Sequence, residues 1–444
     1  MRLLDWFRPG IHIKRWLLVA VLGITCISFG LSFMVREIYM SLLEMLLSAF
    51  LILSGCIFII ISARFVIRTF FHAITNSGFK MSLDSDRLSN LLFEKRILVK
   101  GPKIVAIGGG TGLSTMLRGL KAYSSNLTAV VTVADDGGGS GMLRQDLGML
   151  PPGDIRNCVL ALADTEPILE QLLQYRFKDG MLKGQNFGNL FLAAMDGISD
   201  SFEEAVRKMS DVLAVTGRVL PVTLDDVRLC AELDDGYLIN GESRIGKHNS
   251  FHNGKIRKVS LEPASVKPLQ EVLDAIAEAD AIILGPGSLY TSIIPNLLVE
   301  GICDALKNTK AIKIYICNVM TQPCETEGYS VFDHISAIEE HSCKGILDYC
   351  IVNNAGIPEE LSTRYMADGA ETVRIDGEKL EAAGIRLMEG DYVSIRNGFV
   401  RHDPNKLAET IIDLVAETIL VKDKKRIIDY YYVKDRLRKT VKGD

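Results

Sequence analysis

The sequence predicts an α/β fold, a mostly parallel sheet with helices on both faces, preceded by two transmembrane helices. Three observations carry that expectation. Short apolar runs such as "KIVAI" at 103–107 break into glycines and resume with helical period, as "LSTMLRGLKAY" does. The same strand, small-residue turn and helix return at "LTAVVTVADDGGGSG", "ADAIILGPGS" and "AIKIYICNVM". Uninterrupted runs of this kind suit strands covered on both faces. Ahead of them lie two apolar stretches of membrane length, "WLLVAVLGITCISFGLSFMV" at 16–35 and "LLEMLLSAFLILSGCIFIIISA" at 42–63.

A helix of about 20 residues rises about 30 Å, the thickness of a hydrocarbon core. The second run is interrupted only by Glu44, near enough to its start to reach the interface. Arg2, Arg8, Lys14 and Arg15 precede the pair, and Arg64 and Arg68 follow it. That bias puts both ends in the cytoplasm. The chain thus reads as a basic tail (1–15), a transmembrane hairpin (16–63), a juxtamembrane connector (64–98), a soluble α/β domain (99–420) and a basic tail (421–444). The expected location is the cell membrane, two-pass, with the soluble domain in the cytoplasm. Interleaved tyrosines and cations in the last segment offer a second contact with anionic headgroups.

The 444 residues suffice for one large domain with accessory segments, and the net charge of -5 gives no reason to expect nucleic-acid binding. The nine cysteines are scattered, without a CxxC pair or zinc-like spacing, which predicts reduced thiols.

Gly108, Gly109, Gly110 and Gly112 stand at a strand-to-helix turn, where missing side chains let backbone N–H groups reach an anion. Phosphate or diphosphate is the expected guest. A Walker loop would need a lysine after the last glycine, and a dinucleotide fingerprint a third glycine where Leu113 stands. Asp135 and Asp136, with Gly137 beside them, close the second strand segment and suit ribose hydroxyls or a divalent ion. Asp154, Arg156 and Asn157 open a further helix, where an arginine can hold phosphate in two places. Asn186 and Asn189 precede another helix, with side-chain amides able to read a base or sugar edge. Gly287, Ser288, Asn318 and Thr321 follow later strands. Together these loops are expected on one sheet edge.

The stretches "GGGTGLS", "ADDGGGSG", "PPGDIRN", "NFGNLFLAAM", "GPGSLYTSIIPNLL" and "CNVMTQP" resemble the gluconeogenesis factor family (YvcK-type), itself related to 2-phospho-L-lactate transferase. The resemblance covers roughly residues 101–420. It implies a Rossmann-like domain that binds UDP-sugars such as UDP-N-acetylglucosamine. It also implies a regulatory role linking carbon metabolism in gluconeogenic growth to cell-envelope precursor synthesis and cell shape. By the same resemblance Gly109, Gly110, Thr111 and Gly112 surround the diphosphate, Asp135 and Asp136 lie near ribose or a metal, and Asn189, Gly287 and Ser288 help close the pocket. Tyr365 is expected against the uracil ring and Arg401 against the diphosphate. Gly139 and Met142 replace a hydroxyl and a cation usual in the second loop. Pro404 stands where some relatives carry threonine.

The expected ligand set needs no cofactor, with a UDP-sugar as ligand and magnesium as an admissible companion; the metal residues stay unassigned. Expected partners are the nucleotide sugar, the membrane, an envelope-precursor enzyme and a second copy of the chain. No catalytic residue is assigned, since no His or Cys nucleophile falls in these loops. The alternative is a metal-dependent transferase acting on a phosphorylated or nucleotide-linked substrate. An NAD-dependent oxidoreductase has Asp135 in its favour and the absent glycine against it.

Overall fold

The computed structural model describes residues 13–36, 42–75, 101–164, 166–247, 252, 254–396 and 398–419. Expectations placed on residues 1–12, on the connector beyond 75 and on the C-terminal tail lie outside these residues. The chain divides into two compact units, Met1–Val99 and Lys100–Asp444.

In the first unit both apolar runs are helical, over Ile13–Arg36 and Leu42–Thr75. Their backbones touch at glycines. A Cβ on Gly23 would lie 2.8 Å from the Gly55 carbonyl oxygen, and one on Gly55 2.6 Å from that of Gly23. Small residues permit such close approach where apolar helices associate. The Ser62 hydroxyl donates to the Trp16 carbonyl at 2.7 Å, and the Trp16 and Phe65 rings stack at 4.0 Å. Among the described residues one unbroken helix, Met45–Phe65 with mean hydropathy 2.6, is long and apolar enough to cross a membrane; the apolar part of its neighbour, Leu18–Ser32, is shorter. Of the two expected spans, only this one meets that test among the described residues.

The second unit is built on β1 (Ile104–Gly108), β2 (Leu127–Val131), β3 (Arg218–Pro221), β4 (Arg228–Leu233), β5 (Leu238–Asn240), β6 (Ile256–Glu262), β7 (Ala281–Leu284), β8 (Ile312–Ile316), β9 (Tyr349–Asn353), β10 (Arg386–Gly390), β11 (Val393–Arg396) and β12 (Phe399–His402). Seven strands form one sheet in the order β10-β9-β8-β7-β1-β2-β3, parallel throughout. Every residue of β1, β2, β7 and β9 is buried, which accounts for their unbroken apolar runs. The sheet runs outward from β1 in one direction to β3 and then in the other from β7 to β10. That reversal is the doubly wound Rossmann-like arrangement, and it leaves a crevice beyond the carboxyl ends of β1 and β7.

The helix Gly110–Leu120 buries Leu113, Met116, Leu117 and Leu120, a stripe at helical spacing. The C-terminal helix Pro404–Ile419 packs on it. Two small antiparallel sheets, β5-β4-β6 and β11-β12, were not legible in the sequence pattern. The first is an insert between β3 and β7. Cys303 and Cys343 form a disulfide, correcting the expectation that all thiols are reduced. The cause is tertiary: the helix Ile302–Asn308 meets the chain just after the helix Val331–His341, 40 residues along.

At Gly119 a Cβ would lie 2.0 Å from the Pro404 carbonyl oxygen and 3.0 Å from the Ala408 Cβ. Gly119→Ala is expected to force these helices apart and destabilise the fold by about 1–3 kcal/mol, the usual cost of overpacking. Urea unfolding measures it. An unchanged midpoint would mean that the C-terminal helix docks elsewhere.

Candidate functional site

The crevice at the switch point is walled by backbone. A Cβ on Gly112 would lie 2.5 Å from the Pro286 carbonyl oxygen, and one on Gly287 3.3 Å from the Gly109 carbonyl oxygen. The loops after β1 and β7 therefore pass each other with no room for side chains. Gly110 has φ +68°, a conformation that side chains rarely adopt, and it starts the helix whose first N–H groups face outward from the sheet edge. Thr111 is exposed at the mouth. Asn318 ties the next loop in, its amide donating to the Gly287 carbonyl at 2.8 Å.

The acidic side comes from the loop after β2 and from the helix Gly153–Leu162. Asp135 accepts from the Gly137 N–H at 2.9 Å, and burial raises its pKa, against hydrogen bonds from Gly137 and Ser140 that lower it. Asp136 accepts from the Ser243 N–H at 2.9 Å. Asp154 accepts from the Gly110 N–H and lies against Gly109, where a Cβ would be 2.6 Å from its Oδ2. Burial, then the Asp135 charge, pushes Asp154 up to about 6. Arg144 bonds the Asp135 carbonyl and pairs with Asp226.

Arg156 is 9% exposed, and its Nη2 donates to Asn157 at 2.6 Å. Burial, then Arg176, pushes its guanidinium down to about 10. Among the described residues its Nε has no hydrogen-bond partner, nor have the buried acceptors Gln185 Oε1 and Asn189 Oδ1. Gly188 brings these segments together, since a Cβ there would lie 2.6 Å from the Arg156 Cδ. Orphaned buried polar atoms are expensive, and a ligand is one way to satisfy them.

Several expected site residues hold the structure instead of facing the crevice. Asn186 caps the helix Phe187–Gly197, accepting from the Asn189 N–H, and donates to the Gln174 carbonyl. Thr321 is pinned to Glu371 through both its N–H and its hydroxyl. The loops carrying Asp154 and Asn186 open helices and do not follow strands of the large sheet, which corrects the expectation that all these loops lie on one sheet edge. Tyr365 accepts the Val400 N–H at 3.0 Å on its hydroxyl, and the Arg401 guanidinium lies over the Phe399 ring at 5.4 Å. Both belong to the β11-β12 hairpin and the helix Glu359–Ala367, beyond β9 and β10.

Sequence reasoning missed Glu242, Ser243, Thr291 and Glu325. Ser288 donates to Glu325, and Thr291 Oγ1 to Ser288 Oγ at 2.7 Å. Burial, then the Asp135 and Glu325 charges, pushes Glu242 up to about 8, against a hydrogen bond with Thr291 that lowers it. Among the described residues no group of three or more His, Cys, Asp or Glu is placed to hold a metal ion.

A family model for 2-phospho-L-lactate transferase matches residues 104–393. A crystal structure of a Bacillus halodurans protein aligns at TM-score 0.68 and 47% identity, covering 70% of this chain and 99% of its own. The gluconeogenesis factor of Bacillus subtilis is 48% identical over 317 residues, 71% of this chain and 99% of its length. A Clostridium acetobutylicum relative is 53% identical over 443 residues, covering all of this chain and 98% of its own. The chain belongs to the gluconeogenesis factor family. The Clostridium relative thus aligns over the whole chain, its N-terminal unit included, and the Bacillus subtilis protein over 71% of it.

Asp154 gives the site a measurable signature. A carboxyl whose pKa is higher folded than unfolded stabilises the fold below about pH 4, and that contribution is lost as pH rises through about 6. Asp154→Asn should therefore be more stable than the wild type above pH 6, by on the order of 2 kcal/mol, with the gap closing toward pH 4. Urea unfolding at the two pH values decides it; a gap independent of pH would show an ionised Asp154 throughout.

Proposed function

We propose that the crevice binds a UDP-sugar, such as UDP-N-acetylglucosamine, as a regulatory ligand and does not turn it over. The observation that carries this reading is the backbone cradle of Gly109, Gly110 and Gly112 against Pro286 and Gly287, open at a helix N-terminus. Its N–H groups suit a diphosphate, and Arg156 offers its unpartnered Nε at the same edge. Asp135 and Asp136 keep acceptor capacity for ribose hydroxyls beyond the backbone donors they already hold. The uracil ring would lie toward Tyr365, whose aromatic face suits it, with Arg401 as a further cation for the diphosphate. Binding there would report nucleotide-sugar supply and so link gluconeogenic growth to envelope-precursor synthesis and cell shape. The transferase alternative rests on the family model alone.

We also infer a membrane location, with both N-terminal helices as a hairpin. The support is the apolar Met45–Phe65 segment and the close packing of Ile13–Arg36 along it at Gly23 and Gly55. The partner helix would be held along it by this contact. A reporter fused after Asp444 should be active in the cytoplasm, and one inserted at Ile38 should face outside. Cytoplasmic activity at Ile38 would reduce the hairpin to a surface-lying helix.

Thermal unfolding of the full chain with UDP-N-acetylglucosamine, GDP or NAD tests the ligand. A ligand at about a hundredfold over its dissociation constant adds roughly 2.7 kcal/mol, and only the UDP-sugar should do so. Asp135→Asn should weaken that binding by roughly 1.5–3 kcal/mol with or without magnesium, the loss of one charged hydrogen bond. Steady release of UDP or UMP by the wild type, absent in Asp135→Asn, would make the protein an enzyme.

A further inference from the structure

The turn after the Gly-Pro-Gly loop reads "SLYTS", residues 288–292, and carries four hydroxyls. Three of them are engaged within the fold. Ser288 donates to Glu325, the Thr291 hydroxyl donates to Ser288 Oγ at 2.7 Å, and the Tyr290 and Tyr329 hydroxyls meet at 2.9 Å. The fourth belongs to Ser292, and among the described residues it has no hydrogen-bond partner. Leu289–Ile293 is a single π-helical turn, a rare geometry that is frequent at functional sites.

The surroundings of that hydroxyl are the glycines of the cradle. A Cβ on Gly109 would lie 3.5 Å from the Ser292 Cβ, and one on Gly287 3.3 Å from the same atom and 3.9 Å from Oγ. Beyond its own helix, among the described residues, the one heavy atom within 4 Å of a Cβ on Gly110 would be Ser292 Oγ, at 3.7 Å. Ser292 thus stands where the loops after β1 and β7 meet. Its backbone is fixed there. The Ser292 N–H donates to the Ser288 carbonyl at 3.0 Å, and its carbonyl accepts from Asn296 Nδ2 at 2.8 Å. The same Nδ2 donates to the Gly108 carbonyl at 3.2 Å, tying this turn to the end of β1. Asn296 is fully buried, and among the described residues its Oδ1 has no partner. An orphaned acceptor is costly, so what the residue contributes is its hold on these two carbonyls.

We propose that the Ser292 hydroxyl is a side-chain donor of the cradle and hydrogen-bonds a phosphate oxygen of the bound ligand, beside the N–H groups of the Gly110 turn. Among the atoms nearest to the Cβ positions of Gly109, Gly110, Gly112 and Gly287, the polar side-chain atoms are Asp154 Oδ2 and Ser292 Oγ. An ionised carboxylate only accepts, whereas a hydroxyl donates at any pH and turns about its C–O bond to meet its acceptor. Of the two, Ser292 serves an anion without first taking a proton. The inference rests on the diphosphate reading for its ligand, and requires of it only that a phosphate-bearing anion enters the cradle.

Calorimetry on the full-length protein with UDP-N-acetylglucosamine and with inorganic diphosphate tests the inference. Ser292→Ala should weaken both by roughly tenfold to a hundredfold, the effect of one hydrogen bond to a charged group. Ser292→Cys, similar in size with a weak donor, should fall between that variant and the wild type. Without ligand both variants should keep the wild-type thermal midpoint, because the hydroxyl bonds nothing in the fold. Unchanged affinities would overturn the inference and leave the UDP-sugar reading standing. A lowered midpoint in both variants would also overturn it, by making Ser292 a structural residue. A wild type that binds diphosphate through Ser292 but not UDP-N-acetylglucosamine would support the inference and count against the UDP-sugar reading. Binding of neither would overturn both.

Discussion

The close approach of two backbone loops at the centre of the sheet governs the rest of the site. Gly112 on the first helix turn meets the Pro286 carbonyl, and Gly287 meets the Gly109 carbonyl. Both contacts occur where strand order reverses between β1 and β7, so the crevice common to doubly wound sheets is lined here by peptide groups. A wall of N–H groups and carbonyls offers no lysine to neutralise an anion. Its hold on a phosphate must come from aligned donors and the helix terminus, which are weak singly and effective only when they are fixed. The buried strands behind the loops provide that rigidity.

Around this cradle the charge is of the wrong sign for an anion. Asp135, Asp136, Asp154, Glu242 and Glu325 lie on its sides, and Arg156 and Arg144 are the cations near them. Burial favours neutral forms for three of these acids, Asp135, Asp154 and Glu242, and that lessens the repulsion a diphosphate would meet. The same acids are fastened by backbone N–H groups at Gly137, Ser243 and Gly110, so they shape the loops while they line them. Structure and ligand recognition here depend on one set of hydrogen bonds.

The glycine loop, the Gly-Pro-Gly turn and the paired aspartates were legible in the sequence because each is a local pattern: a strand followed at fixed offsets by residues whose backbone must come close to something. The fold class was legible for the same reason, through unbroken apolar runs that only a covered parallel sheet explains. Asn186 and Thr321 misled, since amides and hydroxyls at helix starts look alike whether they face a ligand or a neighbouring backbone group. Glu242 and Glu325 were invisible. "NGES" and "CETEG" carry no local signature, and their meeting across Thr291 and Ser288 is made by the tertiary fold alone. The Cys303–Cys343 bond and the insert sheet were hidden likewise.

The central claim is that backbone donors at the switch point hold a diphosphate. A crystal structure of the protein with UDP-N-acetylglucosamine bound tests it most directly. The account predicts phosphate oxygens within hydrogen-bond distance of N–H groups in the Gly110–Gly112 turn, with Arg156 Nε satisfied at the same edge and the uracil ring toward Tyr365. Nucleotide density elsewhere on the molecule, with the glycine turn unoccupied, would contradict it.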